Sequence, residues 1–393
     1  MNAGDEQVFA EQRESFGRIS GLIDEAESIV ICAHTNPDGD ALGSGLALGQ
    51  LIRQHWEGKR VTNLLADDDA VPRLYRFLPG ADSFVRASEY EGDPDLFIVV
   101  DLSVTYRLNN ARPVLERSRH VAVMDHHPSN EPFGDVFLVR PDAAASGVIV
   151  AEFGLFLGAH ITPDIANCLF CAIVTDTGRF QYQNADSEAF ECASMLVDAG
   201  ASPSMISLNV YQSFRLAYLH LESVVMGRIV TFDHGRISYS YATAADLERT
   251  GALPDECDGL IDVVRSVEGT EVALFLKELP DGSVRGNLRS KGDHDISGVA
   301  RSLGGGGHKA AAGFSSSTGI DATLATVLPQ LQAVLASSDA ADAKGAGKAA
   351  GAAAADAGEP AKAASADATA GSSCSPVAEA APEAACPVVG TAG

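Results

Sequence analysis

Basic residues are scarce in this chain. Lys and Arg number 28 against 53 Asp and Glu in 393 residues, a formal net charge of −25. Duplex nucleic acid is gripped mainly through Lys and Arg on its phosphates, so this balance argues against a duplex DNA partner. It is compatible with a small anion held by a few local cations and metal ions, and a carboxylate-rich site is itself a reason for a metal. Long apolar runs are missing too. No stretch of about 18 apolar residues occurs, which argues against a membrane-spanning helix. Residues 1–15 are polar and acidic and lack the basic and then apolar stretches of a secretory leader. The seven cysteines follow no framework spacing, which reads as a reducing cytoplasm. Cys168 and Cys171 form a CxxC, but no second pair accompanies it, so both read as small packed apolar residues rather than zinc ligands. Aromatic residues vanish from residue 337 onward, where Ala, Gly, Ser, Pro and Asp take over. Such a segment buries too little apolar surface to offset chain entropy, and 337–393 is expected to be disordered.

What remains is rich in pattern. Up to about residue 202, short apolar runs alternate with helical stretches. Residues 28–33 (SIVICA), 61–66, 96–100 (LFIVV) and 120–124 (HVAVM) read as strands, and 41–54 as a helix. Strands alternating with helices predict an α/β domain whose mainly parallel sheet is covered by helices on both faces. Residues 203–226 look helical and are expected to link it to a smaller α+β domain over 227–336. There, strands are expected at 228–232, 236–241, 272–278 and 283–289, with helices at 255–267 and 296–302.

In open α/β sheets, ligands collect beyond the carboxyl ends of the strands. The first strand is followed by His34, Thr35, Asn36, Pro37, Asp38, Gly39 and Asp40, then by Gly43 and Ser44. Asp101 follows LFIVV, and Asp125, His126 and His127 follow HVAVM. The apolar run 168–174 leads into Thr175, Asp176, Thr177, Gly178 and Arg179. A lone Asp at such an end is ordinarily a cap or turn residue. Four separate segments delivering Asp or His to element ends are better read as one site. Carboxylate oxygen with imidazole nitrogen suits manganese, zinc or iron better than calcium. Two such ions about 3.5–4 Å apart form a clamp for phosphoester hydrolysis. Asp101, central and alone, is the natural bridge.

These ordered motifs resemble those of the DHH phosphoesterases, a superfamily that includes RecJ-type exonucleases, family II inorganic pyrophosphatases and enzymes that degrade very short RNAs. The resemblance spans essentially the whole first domain. It implies that His34, Asp38 and Asp101 bind one manganese ion and that Asp40, Asp101, His126 and Asp176 bind the other, with magnesium or cobalt as substitutes. It implies that Asp38, Asp40, Asp101 and His127 serve catalysis, that His127 faces the substrate phosphate, and that Asp125 orients an imidazole.

Downstream, Gly304, Gly305, Gly306 and Gly307 precede His308, Lys309, an alanine run and Gly313. Four glycines before a stretch expected to be helical would let backbone N–H groups approach an anion; a flexible linker is the plainer reading. Asn287, Leu288, Arg289, Ser290 and Lys291 end a strand with two cations, and Arg suits bidentate phosphate binding. The pattern resembles the DHHA1 module, by which Arg289, Ser290, Gly306, Gly307 and His308 would contact substrate. Asn287 stands where a Ser is common in relatives. Arg107, Leu108 and Asn109 stand where relatives usually show Arg-Leu-Gly.

The two-domain layout looks most like the bifunctional oligoribonucleases that also dephosphorylate 3′-phosphoadenosine 5′-phosphate (pAp). That resemblance implies short single-stranded RNA or small nucleotides as partners, and a homodimer. A phosphodiesterase for cyclic di-AMP or its linear product pApA is the alternative. A pyrophosphatase, which would not need the glycine–histidine module, and a non-catalytic nucleotide-binding regulator stand further off.

Overall fold

The computed structural model describes residues 3–102, 104–128, 132–307 and 309–355. Six parallel strands form the first sheet: β1 (Ser28–Cys32), β2 (Arg60–Leu65), β3 (Val85–Arg86), β4 (Leu96–Val100), β5 (His120–Asp125) and β6 (Val136–Val139), in the order β3-β2-β1-β4-β5-β6. The helices with it are α1 (Ala3–Glu25), α2 (Gly39–His55), α3 (Arg112–Glu116), α4 (Ser146–Phe156), α5 (Pro163–Asp176), α6 (Ser187–Asp198) and α7 (Pro203–Tyr211).

The period of two in a strand divides the apolar runs between two cores. Ile29, Ile31, Leu96, Ile98 and Val100 pack with the helical side of Leu42, Leu46, Ile149, Leu169 and Phe16. Val30, Cys32, Phe97 and Val99 pack on the other face with Leu108, Ala111 and Val114. Every residue of β4 is buried, as an inner strand covered on both sides requires. Each fully buried Ile, Leu or Phe side chain contributes about 1.5–3 kcal/mol, so this strand pair is the firmest part of the sheet.

The strand order reverses between β1 and β4. From β1 the chain runs outward to β2 and β3, then returns to β4 on β1's other side. Cys32 is in register with Val99, so the two strands end level. That reversal opens a crevice at their carboxyl ends.

The second sheet is mixed: β7 (Val230–Phe232), β8 (Ile237–Ala242), β9 (Val272–Glu278), β10 (Val284–Ser290), β11 (Gly306–Gly307) and β12 (Ala311–Ser316), in the order β11-β12-β10-β9-β8-β7. The β8–β9 pair is parallel and the others are antiparallel. One face carries α8 (Leu216–Gly227), α9 (Ala244–Thr250) and α10 (Leu260–Arg265). The other carries α11 (Ser297–Ser302) and α12 (Ile320–Ala355). Both sheets lie within one compact unit, 1–340.

Two expectations change and one is refined. The helical stretch expected over 203–226 is present as two helices, broken after Tyr211, where Ser213 Oγ donates to the Leu208 carbonyl. Ile206 and Val210 of α7 join the first core, whereas Tyr218, Leu221 and Val225 of α8 join the second. The alanine run after the four glycines is strand β12, not a helix. A Cβ on Gly305 or Gly307 would collide with the backbone around Gly313 and Ala311, so these glycines allow β11 to close tightly on β12. Finally, α12 continues to Ala355, beyond the expected break at 337. Alanine is the best helix former, so aromatic poverty alone does not end a helix. Residues 356–393, the rest of the segment expected to be disordered, lie outside the described residues, as does His308.

Candidate metal centre

The first ligand segment is the turn from β1 into α2. Asp38 is the N-cap of α2: its Oδ1 accepts from the N–H groups of Asp40 and Ala41, both at 3.1 Å. Its Oδ2 is left to face His34 Nε2 at 3.9 Å. Asp40, in the first turn, points inward and is 1 % exposed. It accepts from Ser44 Oγ at 2.7 Å and from the N–H groups of Ser146 and Gly147 at 2.7 and 2.9 Å. Those two N–H groups open α4, whose own N-cap Ala145 has no capping side chain. Asp40 therefore caps α4 from another helix and gains from its dipole.

Asp101 follows β4 with φ of +56°, a left-handed conformation that costs a non-glycine residue energy but that Asp tolerates better than most. Its N–H reaches the Met124 carbonyl at 3.1 Å, and Ser146 Oγ donates to its Oδ1 at 3.1 Å. Asp176 is the last residue of α5, where the helix dipole disfavours an anion; a carboxylate kept there suggests a use other than stability. Close packing of α2 on α5 brings it opposite Asp40. A Cβ at Gly39 would strike Thr175, and one at Gly43 would strike the Cys168 carbonyl. Cys168 and Cys171 are buried free thiols in α5, pushed up by burial, Cys168 to about 12.

The six expected ligand positions converge. His34 Nε2 lies 3.3 Å from Asp101 Oδ2. His126 Nε2 lies 3.5 Å from Asp101 Oδ1, 3.6 Å from Asp176 Oδ2 and 3.7 Å from Asp40 Oδ2. The donor atoms fall into sets that could hold a metal ion: His34, Asp38 and Asp101; Asp40, His126 and Asp176; and Asp101, His126 and His127.

The imidazole tautomers test the fit. His34 Nδ1 is 2.8 Å from the Thr35 carbonyl, and His126 Nδ1 is 3.1 Å from the Ala143 carbonyl. A carbonyl only accepts, so each Nδ1 carries the hydrogen. In a neutral ring, Nε2 then presents a lone pair, and it faces carboxylate oxygens. Lone pairs aimed at one another across 3.3–3.7 Å are an arrangement that a cation between them would stabilise. Burial disfavours a charged His126, yet Asp176, Asp101 and Asp40 outweigh it and push the ring well above its ordinary value. Burial raises Asp176 to about 6 and raises Asp40 too, Asp101 adding to the effect. Burial would also raise Asp101, but hydrogen bonds from His126 and His34 hold it well below the usual carboxylate range. This is a pocket of crowded anions that divalent cations would neutralise, and the donor set fits them.

Asp125 orients an imidazole, as expected, but the ring is that of His127: Nδ1 to Asp125 Oδ1 is 2.8 Å. Backbone carbonyls orient His34 and His126 instead. Burial lowers His127, and Asp125 reverses this, so its net shift is upward.

The site opens into a cleft of about 1570 Å³ between the two sheets. Asp38, His126 and Asp176 line one wall, and Arg265, Arg289, Ser290 and Lys291 line the other. Ser290 Oγ donates to the His294 carbonyl at 2.9 Å. Gly306 and Gly307 form β11, while Lys309, Ala310 and Ala311 reach the cleft. Arg179 also lines it, its guanidinium 5.1 Å from the Tyr211 ring centroid. The Arg107 carbonyl accepts from Thr35 N–H at 2.8 Å. Sequence reasoning missed Arg265, Tyr182 and Asp67. None belongs to a recognised motif, and only the folded neighbourhood singles each out.

Residues 28–173 match the DHH family, N-terminal domain, and residues 236–337 match the DHHA1 domain. The chain is 31% identical over 286 residues to the bifunctional oligoribonuclease and PAP phosphatase NrnA of Thermus thermophilus, covering 72% of this chain and 83% of that one. It is 29% identical over 294 residues to the protein of the same name from Bacillus subtilis, covering 74% and 89%. The crystal structure of an exopolyphosphatase-related protein from Bacteroides fragilis has the same fold, with a TM-score of 0.75 at 21% identity over 81% of this chain and 96% of that one. The chain therefore belongs to the DHH family of phosphoesterases, in the branch that carries a DHHA1 domain.

Proposed function

We propose that the chain hydrolyses short single-stranded oligoribonucleotides from one end and removes phosphate from pAp, using two manganese ions. His34, Asp38 and Asp101 would hold one ion, and Asp40, Asp101, His126 and Asp176 the other. When bound, such a pair supplies Lewis-acid charge to a phosphoryl group and activates water for in-line attack. The chain's own residues do the rest. His127, braced by Asp125 and one-fifth exposed, would donate to a phosphate oxygen.

The observation that carries the substrate reading is the opposite wall. Arg265, Arg289 and Lys291 line the cleft, and among the described residues none has a carboxylate within ion-pair distance, in a chain with 53 acidic residues. Among the described residues, Arg289 Nη1 donates to the Leu288 carbonyl at 3.0 Å and Lys291 Nζ to the Val267 carbonyl at 3.1 Å. Burial, with Arg265 adding to it, lowers Lys291, as cations crowded together require. Arg265 and Arg289 each keep a buried Nε with no hydrogen-bond partner among the described residues. Cations left unneutralised beside a metal centre favour a ligand bearing more than one phosphate. Tyr182, Tyr211 and Tyr75 line the same cleft, where aromatic rings could stack on bases. By the resemblance, His308, Gly306 and Gly307 would also contact substrate.

The free cysteines among the described residues fit a reducing cytoplasm, and no helix there is long and apolar enough to cross a membrane. The deciding test is hydrolysis of di- to pentaribonucleotides, pAp, pApA and cyclic di-AMP, with manganese, magnesium or chelator in parallel. Manganese-dependent release of mononucleotides and of phosphate from pAp is expected. Turnover confined to cyclic di-AMP, or undiminished by chelator, would refute the reading.

A further inference from the structure

We infer that Asn109 is a positioning residue for the cation site, kept in a strained backbone so that its side-chain amide can lock the loop between His34 and Asp38. The inference rests on the proposal that His34 and Asp38 hold a cation.

Asn109 has φ of 41° and ψ of −119°. A side chain in this region is strained against its own backbone, and glycine is the residue that occupies it freely. Glycine is also what the resemblance leads one to expect after Arg107 and Leu108. The strain is therefore avoidable, and one solvent-exposed hydrogen bond offsets only part of it.

Asn109 Nδ2 donates to Asp67 Oδ1 at 2.7 Å. Asp67 follows β2, is not among the expected ligands, and is near enough to His34 to feel its charge. It accepts from Thr35 Oγ1 at 2.7 and 2.8 Å and from Asn36 N–H at 2.6 Å. Thr35 and Asn36 are the residues immediately after His34 and before the turn to Asp38. Asn36 itself has φ of +52°, so this loop is also held away from its relaxed state. The Arg107 carbonyl takes the Thr35 N–H at 2.8 Å. The segment carrying Asn109 thus grips the ligand loop twice, once through its backbone and once through Asp67. Burial would raise Asp67, but Asn36, Asn109 and Thr35 lower it overall, so it stays a charged acceptor for all of them. A glycine at 109 would relax the backbone but leave Asp67 one donor short. The loop would then hold His34 and Asp38 less firmly. Outer hydrogen bonds of this kind commonly set metal affinity.

The test separates stability from positioning, because the two should move in opposite directions. Asn109→Gly and Asn109→Ala are compared with wild type. Thermal midpoints are read in chelator, and Mn²⁺ affinity is read by calorimetry on cation-free protein without substrate. Asn109→Gly is expected to raise the midpoint by about 2–4 °C, as strain is released. Its Mn²⁺ affinity should fall about three- to tenfold. Asn109→Ala, which keeps the strain and loses the bond, should lower both. Asn109→Gly binding Mn²⁺ within twofold of wild type, or gaining stability and affinity together, would overturn the inference while leaving the proposed function intact. Wild type binding no Mn²⁺ would overturn both.

Discussion

His34 Nε2 and Asp101 Oδ2 stand 3.3 Å apart at the carboxyl ends of two adjacent parallel strands, β1 and β4. The other oxygen of Asp101 faces His126, which places one carboxylate to serve both proposed ligand sets. We predict that Asp101→Ala lowers turnover at least about a hundredfold, more than losing an outer hydrogen bond would. The fold should survive, since the sheet does not depend on this side chain. Steady-state kinetics with far-UV circular dichroism check both; near-wild-type turnover would remove Asp101 from its bridging role.

Gly43 sets how closely α2 meets α5. A methyl group there would press on the Cys168 carbonyl, a backbone atom with little room to yield. Gly43→Ala should destabilise the protein by about 1–3 kcal/mol despite alanine's better helix propensity. It should also weaken cation binding, because Asp40 rides on α2 and Asp176 on α5. Chemical denaturation and a metal titration on the same variant test this; a stabilised variant would mean the helices can part freely.

Arg265 stacks on Tyr182, 4.7 Å from its ring centroid, and Tyr182 Oη donates to Asp262 Oδ1 at 3.0 Å. If the cationic wall holds a second phosphate, Arg265→Ala should raise KM for pAp and pApA about tenfold, with a smaller change in kcat. Unchanged KM on both would remove Arg265 from the substrate wall.

The second sheet has a separate acid weakness. Burial would raise Asp246, but Arg228 and Thr243 hold its carboxyl far below the usual carboxylate range. Its folded value lies below its unfolded value near 3.8, so its stabilisation is present above that pH and lost as pH falls through the acid range below about 4. Asp246→Asn should cost about 1–3 kcal/mol at pH 7, with the gap to wild type narrowing toward pH 3. A gap that stays constant with pH would contradict this.

Much of the site was legible because its chemistry is written in short motifs at strand ends. His34, Asp38, Asp40, Asp101 and His126 reach one place because buried strands announce themselves as apolar runs and the sheet brings their ends level; Asp176 joins them from the end of α5, which packs closely on α2. The supporting contacts were not legible. Asp67 sits in an acidic loop that reads as solvated, and its role depends on Asn109, 42 residues later, and on a backbone angle. Asp40 capping α4 joins residues 106 apart. The alanine run after the glycines was misread because small residues suit both a helix and a tightly paired strand; pairing with β10 and β11 decides between them. Alanine misled again at 337, where scarcity of apolar bulk pointed to disorder while intrinsic propensity favoured helix.

The most direct test is a calorimetric titration of the cation-free chain with Mn²⁺ at pH 7.5. Two ions per chain are predicted, both lost in Asp101→Ala. A wild-type chain that takes up one ion or none, or a variant that still takes up two, would contradict the account.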